Sequence, residues 1–200
     1  MYSFLALGDS YTIGEQVRIA ESFPYQTVQL LRKKGLLFFA PEIIATTGWT
    51  TDELSAAMDS TSFLPQYDIV SLLIGVNNQY RGRSVNEYKV EFDHLLQRAI
   101  QLAANKTDHV MVISIPDWGV TPFAAGQDSN KIAAAIDEYN AAAKKICDQH
   151  NIAFIDITAA QRTDNNKEGF VASDGLHPSA KEYAKWALLL SEKIKRVVQP

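Results

Sequence analysis

The 200-residue sequence contains only one cysteine, Cys147, which excludes an internal disulfide framework and a cysteine-based zinc cluster. Ten glycines and seven prolines are too few for a long flexible or collagen-like segment. Nineteen Lys and Arg against 23 Asp and Glu give a net charge of −4, so neither a polyanion-binding surface nor a nucleic-acid partner is expected. Cys147 falls in a helical stripe, which favours a buried small residue over a reactive thiol.

Long apolar runs are also lacking. The longest, residues 69–76, contains Ser71 and Gly75 and is far too short to span a bilayer, so no integral membrane association is expected. Residues 1–7 carry no basic side chain and no small-residue cleavage site, so they fit a buried strand better than a signal peptide. We therefore expect a cytoplasmic protein.

A hydrophobic fraction of 46% and a charged fraction of 21% are typical of a soluble globular protein, here a single domain over residues 1–200. Short apolar runs alternate with amphipathic helical patterns along the chain. Most of the runs lack polar alternation, as expected of strands covered on both faces. The predicted strands are residues 2–7, 42–45, 68–74, 109–115 and 153–157. Such alternation predicts a parallel sheet with helices on both faces, and ligands bind at the carboxyl ends of such strands.

Helical periodicity is clearest in three segments, 92–103, 132–146 and 183–197. Capping boxes, in which a Ser or Thr precedes a Glu by three residues, predict three helix starts. These boxes pair Thr50 with Glu53, Ser84 with Glu87, and Ser179 with Glu182.

The first predicted strand leads into Gly8-Asp9-Ser10-Tyr11. A serine between a buried strand and a helix sits on a tight turn, and a glycine before it allows close backbone approach. The helix N-terminus adds free N–H groups and a field that favours a developing anion. Helix capping alone is an equally simple explanation. A phosphate loop fits less well, because neither a G-x-G-x-x-G motif nor a following lysine is present.

Two further polar turns follow the second and third strands. Gly48 is either a plain turn glycine or a backbone N–H donor that points into a site. Asn77 and Asn78 are costly to bury unless their amides find partners, so they form either a turn or a donor to an oxyanion. The fourth strand leads into residues 116–123, which form either a loop that lines a substrate site or one that caps the sheet.

Near the C-terminus, His177 lies three residues after Asp174, just before a capped helix, and Pro178 restricts its backbone. Asp174 can fold back against the ring and fix its tautomer while the other nitrogen faces a nucleophile. A structural histidine is the alternative for this pair alone. A metal site would need further ligands, so no metal is expected. Together, however, a serine, two candidate oxyanion donors and an Asp–His pair all fall at predicted loop positions beside the sheet.

In this order, the blocks Gly8-Asp9-Ser10-Tyr11, Gly48, Gly75-x-Asn77 and Asp174-x-x-His177 resemble the GDSL family of serine hydrolases, also called SGNH hydrolases. The resemblance covers residues 8–177 and implies a flavodoxin-like, three-layer α/β/α fold with five parallel strands. It also implies Ser10 as nucleophile, His177 as general base and then acid, and Asp174 as the partner that orients His177.

The resemblance further implies an oxyanion hole made of the backbone N–H groups of Ser10 and Gly48 and the side chain of Asn77. No cofactor is expected. Two residues depart from the family pattern. Asn78 stands where Asp is common, which concerns local hydrogen bonding, and Tyr11 stands where Leu is usual, which concerns packing beside the nucleophile.

We therefore expect hydrolysis of a small-molecule ester, either a short acyl ester or a lysophospholipid, through an acyl-enzyme. Deacetylation of O-acetylated sugars with the same triad is the alternative. A non-catalytic domain that binds a nucleotide is a third possibility, although it leaves Asp174 and His177 unexplained. Six residues are candidates for substrate contact: Asp9, Tyr11, Trp49, Asn78, Tyr80 and Trp118.

Overall fold

A parallel sheet forms the centre of the computed structural model, which describes residues 1–164 and 169–199. Within these residues the sheet has five strands: β1 (Phe4–Gly8), β2 (Glu42–Ala45), β3 (Ile69–Leu73), β4 (Val110–Ile113) and β5 (Ala153–Ile155). Their order is β2-β1-β3-β4-β5, and each neighbouring pair runs parallel. The predicted α/β fold with a five-stranded parallel sheet is confirmed.

The burial of the strands follows their position in the sheet. Every residue of β1, β3 and β4 is buried, whereas the edge strands β2 and β5 are only partly buried. The predicted strand 109–115 is longer than β4, because apolar residues such as Ile115 remain buried after the ladder ends. Apolar sequence therefore located each strand, gave the bounds of β2 correctly and overestimated the length of the other four.

Helices cover both faces of the sheet. The described helices are α1 (Ser10–Ile13), α2 (Phe23–Lys33), α3 (Thr51–Asp59), α4 (Val76–Tyr80), α5 (Val85–Leu102), α6 (Ser129–His150), α7 (Thr158–Asp164) and α8 (Ala180–Val198). Helix α2 packs against α8, and α5 packs against α3 and α6. The three predicted helical stripes lie on α5, α6 and α8. Helix α4 was not expected, because its Asn-Asn sequence favours a turn.

The predicted helix starts are correct, and Thr50, Ser84 and Ser179 are the N-caps of α3, α5 and α8. The reciprocal capping bond from the glutamate forms at Thr50, whose N–H donates to the glutamate carboxylate at 2.8 Å. In α8, Glu182 instead accepts a hydrogen bond from Trp186 Nε1 at 3.0 Å. A buried indole N–H needs an acceptor, and it takes the carboxylate away from the cap.

Cys147 is fully buried on α6, and this burial raises the pKa of its thiol to about 12. The expectation of a buried, unreactive cysteine therefore holds. Among residues 1–164 and 169–199, no helix combines the length and apolar character that crossing a membrane requires.

Candidate active site

The strand order reverses direction between β1 and β3, because β2 lies on one side of β1 and the remaining strands follow β3. In doubly wound sheets, ligands bind beyond the carboxyl ends of the strands at such a reversal. Ser10 lies two residues after the end of β1, and Asn77 lies four residues after the end of β3. The topology therefore brings the first and third sequence blocks together.

Ser10 is the first residue of α1, and Asp9 is its N-cap. The Asp9 carboxylate accepts a hydrogen bond from the Tyr11 N–H at 3.0 Å, so the capping role falls to Asp9 and not to the serine. A side chain at Gly8 would collide with the Thr12 hydroxyl and the Leu73 carbonyl, which confirms the need for close backbone approach. The tight turn leaves the Ser10 hydroxyl and backbone N–H at the N-terminal end of α1.

Asp174 and His177 form a hydrogen-bonded pair in the loop before α8. His177 Nδ1 lies 2.5 Å from Asp174 Oδ2, and Asp174 Oδ1 accepts the backbone N–H groups of Leu176 and His177 at 3.0 Å each. Within the described residues, the bond from Nδ1 to Asp174 is the only hydrogen bond that the His177 ring makes. Nδ1 therefore carries the proton shared with Asp174, and Nε2 is left as the basic nitrogen.

The electrostatics of this pair favour an ionised Asp174. Partial burial acts to raise the pKa of Asp174, but hydrogen bonds from the His177 ring and from two backbone N–H groups outweigh it and leave the pKa lowered. The ring of Tyr11 packs against the His177 ring, with 5.5 Å between centroids. Tyr11 and Asp174 thus hold the imidazole from two sides.

Gly48 and Asn77 both retain hydrogen-bond donors for a ligand. Gly48 has φ +86°, and its N–H donates to no other group in the described residues. Asn77 Nδ2 donates one hydrogen to the Trp49 carbonyl at 2.9 Å. Because a side-chain amide has two N–H bonds, the second is free to donate elsewhere.

Asn78 has a structural role. Its Oδ1 accepts the Thr51 N–H at 3.1 Å, and its Nδ2 donates to Thr51 Oγ1 at 2.6 Å. An amide is both donor and acceptor, so Asn78 satisfies both groups of Thr51, and it is fully buried. The departure from aspartate at this position therefore changes the hydrogen bonding beneath the site.

A cavity of about 130 Å³ opens beside these groups. It brings together Ser10, Gly48, Asn77 and His177, which come from four separate sequence blocks. Aromatic and aliphatic side chains supply most of the remaining wall. The other lining residues are Tyr11, Thr47, Val76, Tyr80, Trp118, Phe123 and Leu176.

Three aromatic rings form one side of this cavity. Tyr80 packs edge-on against Trp118 with 5.3 Å between centroids, and Phe123 lies 6.1 Å from Trp118. Trp118 is buried and donates from Nε1 to Gln79 at 2.8 Å, whereas Tyr80 is 55% exposed and Phe123 is 43% exposed. Two residues of the segment 116–123, Trp118 and Phe123, therefore line the cavity, and its role as a loop that lines a substrate site stays a prediction.

Three candidates for substrate contact lie outside the cavity wall. Asp9 and Asn78 are fully buried and bonded to neighbouring backbone, so the prediction that they touch substrate does not fit the structure. Trp49 is partly buried and packs against the core, and it is not among the residues that line the cavity. Spacing along the sequence could not separate these residues from Tyr11, Tyr80 and Trp118, which do line the cavity.

The family model of the GDSL-like lipase/acylhydrolase family matches residues 6–185. The chain belongs to this family. As a member of this family, the protein is a GDSL-type carboxylic ester hydrolase. The matched region includes the Ser10, Gly48, Asn77 and Asp174–His177 blocks. No curated protein matches the sequence.

Solved structures of GDSL-type esterases and lipases share the fold. The lipase/acylhydrolase from Enterococcus faecalis superposes with a TM-score of 0.77 at 20% identity, covering 98% of this chain and 96% of that chain. Axe2, an acetylxylan esterase from Geobacillus stearothermophilus, gives a TM-score of 0.74 at 20% identity, with 100% and 94% covered. The psychrotrophic esterase EstA from Pseudoalteromonas sp., inhibited by monoethylphosphonate, gives 0.72 at 14% identity, with 100% of both chains covered. At these identities the likeness establishes the three-layer fold of the family.

Sequence reasoning assigned no role to several residues at the site. Val76 and Leu176 line the cavity, and each is adjacent to a residue of a family motif. Arg81 donates to the Gly48 carbonyl at 2.6 Å across 33 positions in the chain. Neighbourhood to the motifs could have indicated Val76 and Leu176, but nothing local in the sequence reveals the Arg81 contact.

Proposed function

We propose that the protein hydrolyses esters of short carboxylic acids, with Ser10 as the nucleophile. The observation that carries this proposal is the Asp174–His177 pair, bonded at 2.5 Å, beside the same cavity as Ser10. A serine hydroxyl is a weak nucleophile at neutral pH and needs a base to take its proton. His177 Nε2 is that base, and Asp174 holds the ring in the required tautomer and stabilises the imidazolium.

The oxyanion of the tetrahedral intermediate is stabilised by three donors: the Ser10 N–H, the Gly48 N–H and the second N–H of Asn77 Nδ2. The support for this assignment is that all three residues line the cavity and that each keeps a donor unused. The N-terminal end of α1 adds a favourable field for negative charge. Loss of one such donor costs on the order of 10²–10³ in rate.

Two steps complete the reaction. Ser10 Oγ attacks the ester carbonyl as His177 takes its proton, and collapse of the intermediate expels the alcohol, which receives the proton from His177. Water, deprotonated by the same imidazole, then attacks the acyl-enzyme, and the acid leaves as Ser10 regains its proton. The protein's own side chains and backbone supply each group that these steps require.

The size of the cavity supports a short acyl group. An apolar protein cavity of about 150 Å³ is filled by benzene, which has six heavy atoms. The cavity beside Ser10 has about 130 Å³, so it holds an acyl group of about six heavy atoms or fewer. Longer chains must extend past Tyr80 and Phe123 into solvent, where further methylenes gain little binding energy.

An O-acetylated saccharide is the second candidate substrate. It is favoured by the half-exposed rings of Tyr80 and Phe123 at the cavity, since apolar sugar faces pack on aromatic rings. An acetyl group is also well within the size limit of the cavity. The similar structure of an acetylxylan esterase agrees with this candidate.

The test is a series of p-nitrophenyl esters from acetate to laurate, measured on the wild type, on Ser10→Ala and on Ser60→Ala, an exposed serine at the end of α3. We expect Ser10→Ala to lose turnover and Ser60→Ala to keep it. We expect kcat/KM to peak between acetate and hexanoate and to fall by about tenfold or more at laurate. A maximum at laurate would refute the size argument, and full activity of Ser10→Ala would refute the nucleophile. Acetylated xylooligosaccharides, assayed in parallel, separate the two substrate candidates.

A further inference from the structure

The turn between β2 and α3, residues 46–50, is held by side chains from α4 and the residue that follows it. Arg81 Nη2 donates to the Gly48 carbonyl at 2.6 Å. Asn77 Nδ2 donates to the next carbonyl, that of Trp49, at 2.9 Å. Two consecutive carbonyls of the turn are therefore bound from the same short helix region.

Arg81 also reaches the far side of this turn. Its Nη1 lies 3.3 Å from the Glu53 carboxylate, and Glu53 accepts the Thr50 N–H at 2.8 Å. One guanidinium thus joins the Gly48 carbonyl to the carboxylate that caps α3. A planar guanidinium with several fixed N–H bonds is suited to such a bridge, whereas a lysine can serve only one of the two partners well.

The bonding within the turn itself is weak. Among the described side chains outside α3, only that of Glu15, which accepts the Thr47 hydroxyl, forms a hydrogen bond with the turn besides those of Arg81 and Asn77. Its internal hydrogen bond, from the Trp49 N–H to the Thr46 carbonyl, is long at 3.3 Å. Gly48 has φ +86°, and glycine has more conformational freedom than any other residue. An oxyanion donor must nevertheless lie within about 2.7–3.1 Å of the oxyanion in the transition state.

We propose that Arg81 is a positioning residue for the oxyanion hole: by binding the Gly48 carbonyl and Glu53, it fixes the turn that presents the Gly48 N–H to the oxyanion. The inference rests on the proposed function, since it assigns a role to Arg81 in that reaction. Arg81 does not line the cavity, and its side chain is 44% exposed. It therefore acts through Gly48 and not by contact with substrate.

The experiment compares Arg81→Met, which removes the donors, with Arg81→Lys, which keeps one donor for the Gly48 carbonyl. The matched control is Arg98→Met, because Arg98 also donates to a backbone carbonyl, that of Ser55 on α3, at 3.0 Å but away from the cavity. Each variant is assayed for kcat and KM on p-nitrophenyl acetate and for the rate of inactivation by a p-nitrophenyl phosphonate. Thermal unfolding establishes that each variant is folded.

We expect Arg81→Met to lower kcat by about 10- to 100-fold with KM within about twofold of the wild type, because a misplaced donor weakens only the transition state. Inactivation by the phosphonate should slow in parallel, since negative charge also develops on the phosphonyl oxygen in the transition state of that reaction. Arg81→Lys should recover part of the loss, and Arg98→Met should match the wild type.

Two results would overturn the inference: a kcat of Arg81→Met that is unchanged, whether or not KM changes, or an equal loss of kcat in Arg98→Met. Failure of the proposed function is distinguishable from these, because it would appear as a wild type without ester turnover or a fully active Ser10→Ala.

Discussion

Replacement of Asp9 with asparagine should remove a pH dependence of folding stability that the native carboxyl group introduces. Asp9 is 0% exposed; its Oδ1 accepts the Tyr11 N–H at 3.0 Å, and its Oδ2 is buried without a hydrogen-bond partner among the described residues. Asparagine keeps the acceptor for Tyr11 but cannot ionise. The comparison therefore isolates the charge of the carboxyl from its capping role.

The size of the effect follows from the pKa. Desolvation by burial raises the pKa of Asp9 from 3.8 to about 7, and the backbone hydrogen bonds that act to lower it are too weak to compensate. The native state therefore holds a proton on Asp9 between about pH 4 and pH 7, where the unfolded chain has lost it. This contribution to stability is complete below pH 4 and is lost as the pH rises toward 7. The pKa of Asp9 in the native state and in the unfolded chain differs by about three units, which corresponds to about 4 kcal/mol in the free energy of unfolding.

The assay is urea unfolding of the wild type and Asp9→Asn at several pH values from 4.5 to 7.5. We expect the free energy of unfolding of the wild type, relative to the variant, to fall by about 3 kcal/mol over this range, since part of the transition lies below pH 4.5. The matched control is Asp128→Asn: Asp128 also caps a helix, by accepting the Lys131 N–H at 3.2 Å, but its side chain is 50% exposed.

A difference between the wild type and Asp9→Asn that stays constant from pH 4.5 to 7.5 would refute this reasoning. It would mean that Asp9 is ionised in the native state throughout. The reasoning would also be refuted if the free energy of unfolding of the wild type, relative to Asp128→Asn, fell equally steeply with pH. Burial would then not be the cause of the pH dependence.

Two further substitutions test the site and its support. Asn77→Ala should lower kcat by about 10²–10³ with a smaller effect on KM, because the second amide N–H acts in the transition state; steady-state kinetics would contradict this if only KM changed. Gly75→Ala should destabilise the fold by at least about 2 kcal/mol, because Gly75 has φ +131° and an added Cβ would lie 2.7 Å from Tyr88 Cε2. Gly82→Ala is its control, with φ +69° but no atom within 4 Å of an added Cβ, so urea unfolding that gave equal losses would argue against the clash.

The central sheet could be predicted from the sequence because its three central strands are fully buried and all five strands lie in short, mostly apolar runs. The edges of the runs were less certain, since Ile115 is buried although it lies beyond β4. Helix α4 was missed because asparagine has a low helix propensity, and here the bonds from Asn78 to Thr51 override it. Local preference therefore failed where a contact between distant segments decided the structure.

In the candidate site, too, local motifs could be predicted from the sequence and contacts between distant residues could not. Motif spacing indicated Ser10, Asp174 and His177, which lie within or next to short local turns and which we propose as the catalytic residues. Contacts between distant residues could not be predicted: nothing in the sequence indicates that Arg81 binds Gly48, or that Asp9 is buried outside the cavity wall. Which side chains of a motif face the site depends on packing, and spacing alone does not encode it.

The central claim is that Ser10 forms the covalent intermediate, and covalent labelling tests it most directly. A p-nitrophenyl phosphonate transfers its phosphonyl group to the nucleophile and releases p-nitrophenolate, so both the adduct and the phenolate can be measured. We predict about one phenolate per chain, with the adduct on the peptide that contains Ser10, and no adduct in Ser10→Ala. An adduct on another residue, or equal labelling of Ser10→Ala, would contradict the account.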